Sequence, residues 1–320
     1  VAIVVYKGLK LVVYRMLTLV MLSTYNGERF LRKQLDSIIN QEDVCVYLLI
    51  RDDGSTDNTL HILDEYWSLY PHMITIYRGT NIGCVQSFRF LMEKADTFTL
   101  FFPDFYAFCD QDDIWINEKL KRATKALTVY DQSIPNLFFS HFKKIDEWEN
   151  ELFTEKKEFK LSFGESLIMN PSVGCTQVFN RICLEKSLMC NPPQLVLHDW
   201  WIYSLCLALS GNVIYDSDAL VLYRQHSSNV LGAQHISRFR KLYNWLLKKN
   251  NNLCMHLAES LYNGYKDQMN SKNKNLVKLC LEYRKNIYYR LKLLVSISKF
   301  KTINRDVNCG FILSVLFGKF

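Results

Sequence analysis

Three of the four residues in Asp110-Gln111-Asp112-Asp113 are carboxylates, and they follow directly on an apolar run over 105–109. Like charges this close repel, so protons, basic side chains or a divalent cation must neutralise them. Carboxylate oxygens suit Mg2+ or Mn2+, which commonly combine one or two such ligands with substrate phosphates. The same residues also suit a helix N-terminus, where Asp caps the chain and meets the dipole. A second cluster, Asp52-Asp53-Gly54-Ser55-Thr56-Asp57-Asn58-Thr59, joins a turn glycine to candidate caps. There Asp52 can accept a hydrogen bond from a nucleobase or ribose, and Asp57 or Asn58 can cap a helix beginning near Leu60. Neither G-x-G-x-x-G nor G-x-x-x-x-G-K-[ST] occurs, which disfavours dinucleotide-binding and P-loop classes.

These clusters need elements to hold them. Short apolar runs over 17–22, 44–50 and 73–77 read as buried strands, and so do 98–102 and 105–109. Helical spacing separates them: Phe30, Leu31, Leu35, Ile38 and Ile39, then Leu60, Ile62, Leu63 and Tyr66, then a segment from Asn81-Ile82-Gly83 to Lys94. Strands alternating with helices imply a parallel, doubly wound α/β sheet, whose ligands gather beyond the carboxyl ends of its strands. The polar segments 23–27, 52–57 and 110–113 all follow strands, so they converge on one site. Further on, 146–160 is charge-dense and reads as solvated. His198-Asp199-Trp200-Trp201 opens a helix, and 213–223 reads as strand.

The 320 residues are 49% hydrophobic and 22% charged, enough apolar material for a true core and for one large domain or two modest ones. No run approaches the ~18 apolar residues of a membrane span. The first 22 residues are broken by Lys7, Lys10 and Arg15 and read poorly as a secretory signal. Ten cysteines are scattered without C-x-x-C pairs, as buried thiols of a cytosolic protein would be. The net charge of +7 is uneven: residues 1–234 hold 22 Lys and Arg against 28 Asp and Glu, whereas 235–320 hold 17 against 4. That break divides the chain into 1–234 and a basic, helical-patterned region over 235–320. The second region would meet something anionic, and it lacks the basic–aromatic pattern of a nucleic-acid module.

Taken together, the motifs resemble family 2 glycosyltransferases. They are Ser23-Thr24-Tyr25-Asn26-Gly27-Glu28 with Gln34-Leu35-Asp36-Ser37-Ile38 and Asn40-Gln41, then the DDGSTDNT segment, then Phe108-Cys109-Asp110-Gln111-Asp112-Asp113-Ile114-Trp115. His198-Asp199-Trp200-Trp201 and Tyr223-Arg224-Gln225-His226, with Asn229-Val230-Leu231-Gly232, sharpen the resemblance towards bacterial rhamnosyltransferase-like members. It implies a GT-A fold, a Rossmann-like doubly wound mixed sheet, here followed by a C-terminal helical region. It also implies inverting transfer from a nucleotide-sugar, dTDP-rhamnose first, with UDP-galactose, UDP-galactofuranose or another UDP-hexose as alternatives. The other readings are nucleotidyl transfer to a sugar phosphate and a catalytically inactive sugar-nucleotide-binding protein.

By matching position, Thr24, Tyr25 and Asn26 would border the nucleotide, Asp52 and Asp53 would serve the base, and Asn81 and Gly174 would line the donor. Asp110 and Asp112 would form the Asp-x-Asp element that binds Mg2+ or Mn2+, with Asp110 also at the donor. His226 would complete the metal sphere or make a structural hydrogen bond. Asp199 would be the general base, the alternative being a helix N-cap, and His198 a packing or stacking group. The implied acceptor is a saccharide, possibly lipid-linked, in surface polysaccharide synthesis. The implied location is the cytoplasm, with peripheral contact at the inner membrane face through 235–320. Four features depart from the pattern: Arg51 where a small or apolar residue is usual, the sequence over 103–106, Ser87 in place of an asparagine, and residues 1–15 ahead of the usual start.

Overall fold

The computed structural model describes residues 2–6, 9–13, 15–156, 158–192, 196–226, 253–283 and 285–318. Of the sequence expectations, the Asn229–Gly232 motif and the 234/235 boundary lie outside the described residues. Strands β1 (Ala2–Tyr6) and β2 (Leu9–Val13) pair as an antiparallel hairpin. The central sheet has nine strands. Its first half is parallel: β5 (Ile74–Arg78), β4 (Cys45–Asp52), β3 (Leu17–Thr24) and β6 (Phe105–Cys109) lie side by side in that order. The order continues through β10 (Val178–Asn180), β8 (Asn136–Ile145), β11 (Asn212–Arg224) and β7 (Ile114–Trp115), with β9 (Glu151–Leu152) beside β8. Here β10 and β7 run antiparallel to their neighbours, so the sheet is mixed.

Period-two alternation sorts each central strand between two apolar layers. Val20 and Leu22 of β3, with Phe105, Ala107 and Cys109 of β6, face α1 (Leu31–Ile39), α2 (Thr59–Leu69) and α4 (Lys119–Leu127). Leu19 and Met21, with Tyr106 and Phe108, face the layer of α3 (Cys84–Asp96), α6 (Arg181–Leu188) and α7 (His198–Ala208). Short α5 (Phe163–Ser166) packs on α7. Helices α8 (Leu253–Tyr265), α9 (Ser271–Glu282), α10 (Ile287–Val295) and α11 (Arg305–Leu316) join this second layer. Asn273 donates to the carbonyls of Leu207 (3.0 Å) and Ala208 (3.1 Å), closing the last turn of α7, and the Tyr265 hydroxyl donates to the Lys186 carbonyl.

Two expectations change. Residues 98–102 are not a strand, since pairing with β3 begins only at Phe105 opposite Thr18. Phe98 and Phe101 instead pack their rings on Tyr47, at 4.9 and 4.8 Å. The unusual segment 103–106 enters β6 at the end opposite Asp110, so it lies away from the acidic loop. All ten cysteines are free thiols. Among the described residues no helix is long and apolar enough to cross a membrane.

Glycines test this packing with opposite signs. A Cβ on Gly164 of α5 would overlap the backbone carbonyl of Lys299, whereas one on Gly310 of α11 would meet nothing within 4 Å. Gly164→Ala is expected to destabilise by about 1–3 kcal/mol, as overpacking does. Gly310→Ala is expected to stabilise by about 0.5–1 kcal/mol through helix propensity. Thermal melts of both variants check the pair; equal shifts would contradict the contact between α5 and the Lys299 turn.

Candidate active site

The carboxyl ends of β3, β4 and β6 lie together, and each opens into one of the polar loops. From β3, Thr24 is buried, and its hydroxyl donates to Gln111 Oε1 at 2.7 Å. The Tyr25 backbone exchanges two hydrogen bonds with the Gln111 amide, at 2.8 and 3.0 Å, while the Tyr25 ring stays exposed. Gln111 therefore ties the first loop to the acidic one. Asn26, in the left-handed region with φ of 47°, accepts from the Thr56 amide at 2.8 Å, and its own amide donates to Ser55 Oγ at 2.9 Å.

At the end of β4, Asp52 accepts from the amides of Gly54 (3.1 Å) and Ser55 (2.9 Å) and from the Ser55 hydroxyl (2.5 Å). The neighbouring Asp53 accepts from the amides of Ile82 and Gly83, both at 2.9 Å. Both carboxylates are buried and orient backbone, while Asn81 is exposed at the rim. Asp57 caps α2 by accepting from the Thr59 amide at 3.0 Å, as its position suggests; Asn58 makes no side-chain cap.

After β6 the acidic residues separate into two groups. The ligand atoms of Asp110, Asp113 and Cys175 all lie within 4.8 Å of one another, and Asp113 and Cys175 are buried. Asp112 instead meets His226, whose Nε2 stands 2.8 Å from its Oδ2. Burial, followed by the charges of Asp112 and Asp199, pushes the Asp110 carboxyl up to about 7. Burial and the same like-charge crowding raise Asp113 well above the carboxylate range. Two cations flank the loop. The Lys119 ammonium lies over the Trp115 ring with no hydrogen-bond partner among the described residues, and burial pulls it down to about 7. Arg224, buried, donates from Nε to the Asp112 carbonyl at 2.8 Å, and its backbone amide donates to Asp113 at 3.1 Å.

On the other side of the site, Asp199 stands in the first turn of α7 rather than at its N-cap, which is Leu197. Its Oδ2 accepts from the Gly174 amide at 3.0 Å and its Oδ1 from the Trp200 amide at 2.7 Å. Burial raises its carboxyl to about 6, and these hydrogen bonds limit the rise. A Cβ on Gly174 would stand 3.0 Å from His198 Nε2 and 3.4 Å from Asp199 Cβ, so only glycine leaves this approach undisturbed. His198 itself packs: its ring stacks on Phe88 at 3.9 Å and meets the Phe108 ring at 4.6 Å.

The donor set tests whether a cation fits. Two carboxylates at the mouth, Asp110 and Asp112, with an imidazole on Asp112, are hard and borderline donors of the kind Mn2+ and Mg2+ accept. The repulsion recorded in the raised Asp110 and Asp113 carboxyls is what a dication would relieve. The ligand atoms that the fold gathers are those of Asp110, Asp113 and Cys175, with Asp112 and His226 as a separate pair beside them, and the oxygen donors among them suit such an ion.

Comparison with known proteins decides the family. Residues 19–188, more than half of the chain, match the family described as Glycosyl transferase family 2. The chain belongs to that family. It is 33% identical over 220 residues to dTDP-rhamnosyl transferase RfbG of Shigella flexneri, covering 66% of this chain and 74% of that protein. Its fold is similar to the crystal structure of S. aureus TarS 1-349 in complex with UDP-GlcNAc, with TM-score 0.54, 16% identity and coverage of 95% and 93% of the two chains. It is also similar to the mannosyltransferase PcManGT from Pyrobaculum calidifontis in complex with GDP-Man and Mn2+, with TM-score 0.55, 16% identity and coverage of 89% and 75%. The GT-A architecture expected from the sequence is thereby shown.

Within this family 2 site, sequence reasoning missed Gln111, Lys119 and the double role of Arg224. Gln111 was hidden as the variable middle of Asp-x-Asp, and Lys119 reads as one charge among several in a polar helix start. His198 yields the prediction. Its pKa is lowered from 6.5 to about 3 by burial, so the folded state holds it neutral. Stability from this source is complete above about 6.5 and is lost as pH falls towards 3. His198→Phe keeps the stacking and removes the titration. Urea melts at pH 7.5 and 4.5 are expected to show a smaller acid loss for the variant than for the parent; equal losses would overturn this account.

Proposed function

We propose that this glycosyltransferase is metal-dependent and inverting, and that it moves rhamnose from dTDP-rhamnose to a saccharide hydroxyl in surface polysaccharide synthesis. The observation that carries the reaction type is Asp199. Its carboxyl is raised by burial to about 6 yet held by two backbone amides, close enough to Asp110 for the two charges to interact. Such a group is ionised at neutral pH and poised to accept a proton. The donor assignment is supported by the 33% identity to a protein named as a dTDP-rhamnosyl transferase.

In this reading Tyr25 and Asn81 at the rim meet the nucleotide, while Thr24, Asn26, Asp52 and Asp53 hold the loops that receive it. Asp110, Asp112 and His226 would hold a divalent cation, which would supply compensation for charge on the leaving diphosphate. Asp199 takes the acceptor hydroxyl's proton as that oxygen attacks the anomeric carbon opposite the diphosphate. A single displacement assisted by one carboxylate inverts the centre, whereas retention by double displacement needs a carboxylate nucleophile as well. Gly174 keeps the approach to Asp199 narrow and orients it by its amide.

The acceptor end is proposed to lie at an anionic membrane surface, where a lipid-linked saccharide would be met from the cytoplasm. Ile287, Tyr288, Leu291 and Val295 form one exposed apolar face of α10, with Lys285, Lys292, Lys299 and Lys301 nearby in sequence. An apolar stripe among lysines suits the interface of anionic lipids. Sedimentation with phosphatidylglycerol vesicles is expected to pellet the protein. Leu291→Glu with Val295→Glu is expected to leave it in the supernatant, and no pelleting of the parent would reject the surface.

Titration calorimetry with dTDP, UDP and GDP, each with and without Mn2+, tests the donor. Preference for dTDP with Mn2+ is expected, and it is expected to vanish in Asp112→Ala. Preference for UDP would move the donor to a hexose, and binding of none would reject the donor site. For chemistry, kcat is expected to rise with pH through about 6 and then level, because Asp199 must lose its proton to act. Asp199→Asn is expected to lower kcat by about 10²–10⁴-fold and to abolish that limb. An unchanged profile would remove Asp199 from the role of base.

A further inference from the structure

Arg51 is a charged residue that the reaction does not use, and it is nearly fully buried at the end of β4. Its Nη1 pairs with Asp53 Oδ1 and lies 3.4 Å from Ser87 Oγ, and its Nη2 donates to the Thr80 carbonyl at 3.0 Å. The guanidinium also rests 5.3 Å from the centre of the Phe90 ring. Asp53 passes the contact onward, since its two oxygens receive the amides of Ile82 and Gly83. The loop is built around this group. A Cβ on Gly79 would stand 2.7 Å from Nη2, and Gly83 takes a φ of 83°, which favours glycine. Residues 79–83 are thus held by one arginine–carboxylate pair from β4.

That loop leads into the site. Asn81 lies on it, and Gly83 is the N-cap of α3. The first residue of α3, Cys84, is exposed and faces the charges of Asp110, Asp199, Asp53 and Asp112. Ser87, one turn along, accepts from the Ser23 hydroxyl at the end of β3 at 2.6 Å. A shift of the loop therefore moves the donor rim and the start of α3 together.

We propose that Arg51 is a positioning residue that, through Asp53, fixes the 79–83 loop and the first turn of α3 for nucleotide-sugar binding. The inference rests on the donor-site reading above. A small or apolar residue at this position could not bridge Asp53 to Thr80.

Two readouts test it. Hydrogen exchange of the Ile82 and Gly83 amides reports the loop without any ligand, and titration with dTDP, UDP and GDP in Mn2+ reports its consequence. Arg51→Met is expected to speed exchange at both amides while leaving β3 and β6 amides unchanged. It is expected to weaken nucleotide binding about tenfold, the scale of one lost charge-assisted contact, and to raise donor KM more than it lowers kcat. Arg51→Lys, which keeps one charge but not the fork, is expected to fall between. Gly79→Ala is expected to act in the same direction by displacing the guanidinium, and Gly79→Ala combined with Arg51→Met is expected to be no worse than Arg51→Met alone. Parental exchange and affinity in Arg51→Met, or multiplying effects in the double variant, would overturn the inference. If the parent binds none of the three nucleotides, the donor reading fails and the link to binding fails with it, while the exchange arm still decides whether Arg51 holds the loop.

Discussion

The acidic loop after β6 cannot exist without its surroundings. Three carboxylates within four residues repel, and burial multiplies the cost because the interior screens charge poorly. Neighbouring features of the site answer that constraint. Lys119 supplies an ammonium from the start of α4, Arg224 supplies a guanidinium and an amide from the end of β11, and His226 meets Asp112. These three groups come from two segments about a hundred residues apart. The residual strain is still visible in the raised Asp110 and Asp113 carboxyls. A loop in that state favours positive charge, which is the electrostatic basis for the cation proposed to meet a donor's diphosphate here.

The mixed sheet explains why two distant segments can meet. The parallel half aligns the ends of β3, β4 and β6, so three loops open on one edge. Beyond β6 the antiparallel β10 lets the chain return beside β8, and β11 then runs parallel to β8 and delivers Arg224 to the acidic loop. The short β7 clamps on β11 through Trp115 opposite Val221, fixing the residues just after Asp113. On the far side, helices α8 and α9 buttress α7, on whose first turn Asp199 sits. The C-terminal helices therefore share the core that holds Asp199, whatever their outer face contacts.

Much of this was legible in the sequence, for a physical reason. Buried parallel strands read as short apolar runs, and the polar clusters that end them mark the functional edge. The convergence of the Thr24, Asp52 and Asp110 loops followed from those two facts alone. What stayed hidden were residues whose meaning depends on distant partners. Lys119 looks like a surface lysine until Trp115 and the carboxylates close around it. Gln111 looks like a spacer until its amide is seen bridging to the Tyr25 backbone. The aromatic run over 98–102 has the composition of a strand, yet Phe98 and Phe101 pack ring on ring against Tyr47 instead. Composition carries burial, but pairing is a property of neighbours.

The two ends of the site also show how one environment can hold carboxylates for different work. Burial raises both Asp110 and Asp199, but the remaining contributions differ in kind. For Asp110 they are the like charges of Asp112 and Asp199, which a cation would cancel. For Asp199 they are the amides of Trp200 and Gly174, which favour the ionised form whether or not a cation is present. The first carboxylate therefore responds to what binds beside it, and the second is set by backbone that ligand does not replace. In the proposed mechanism, that division assigns the cation and diphosphate to the β6 loop and proton transfer to the start of α7. It follows from which neighbours each aspartate has rather than from the aspartates themselves.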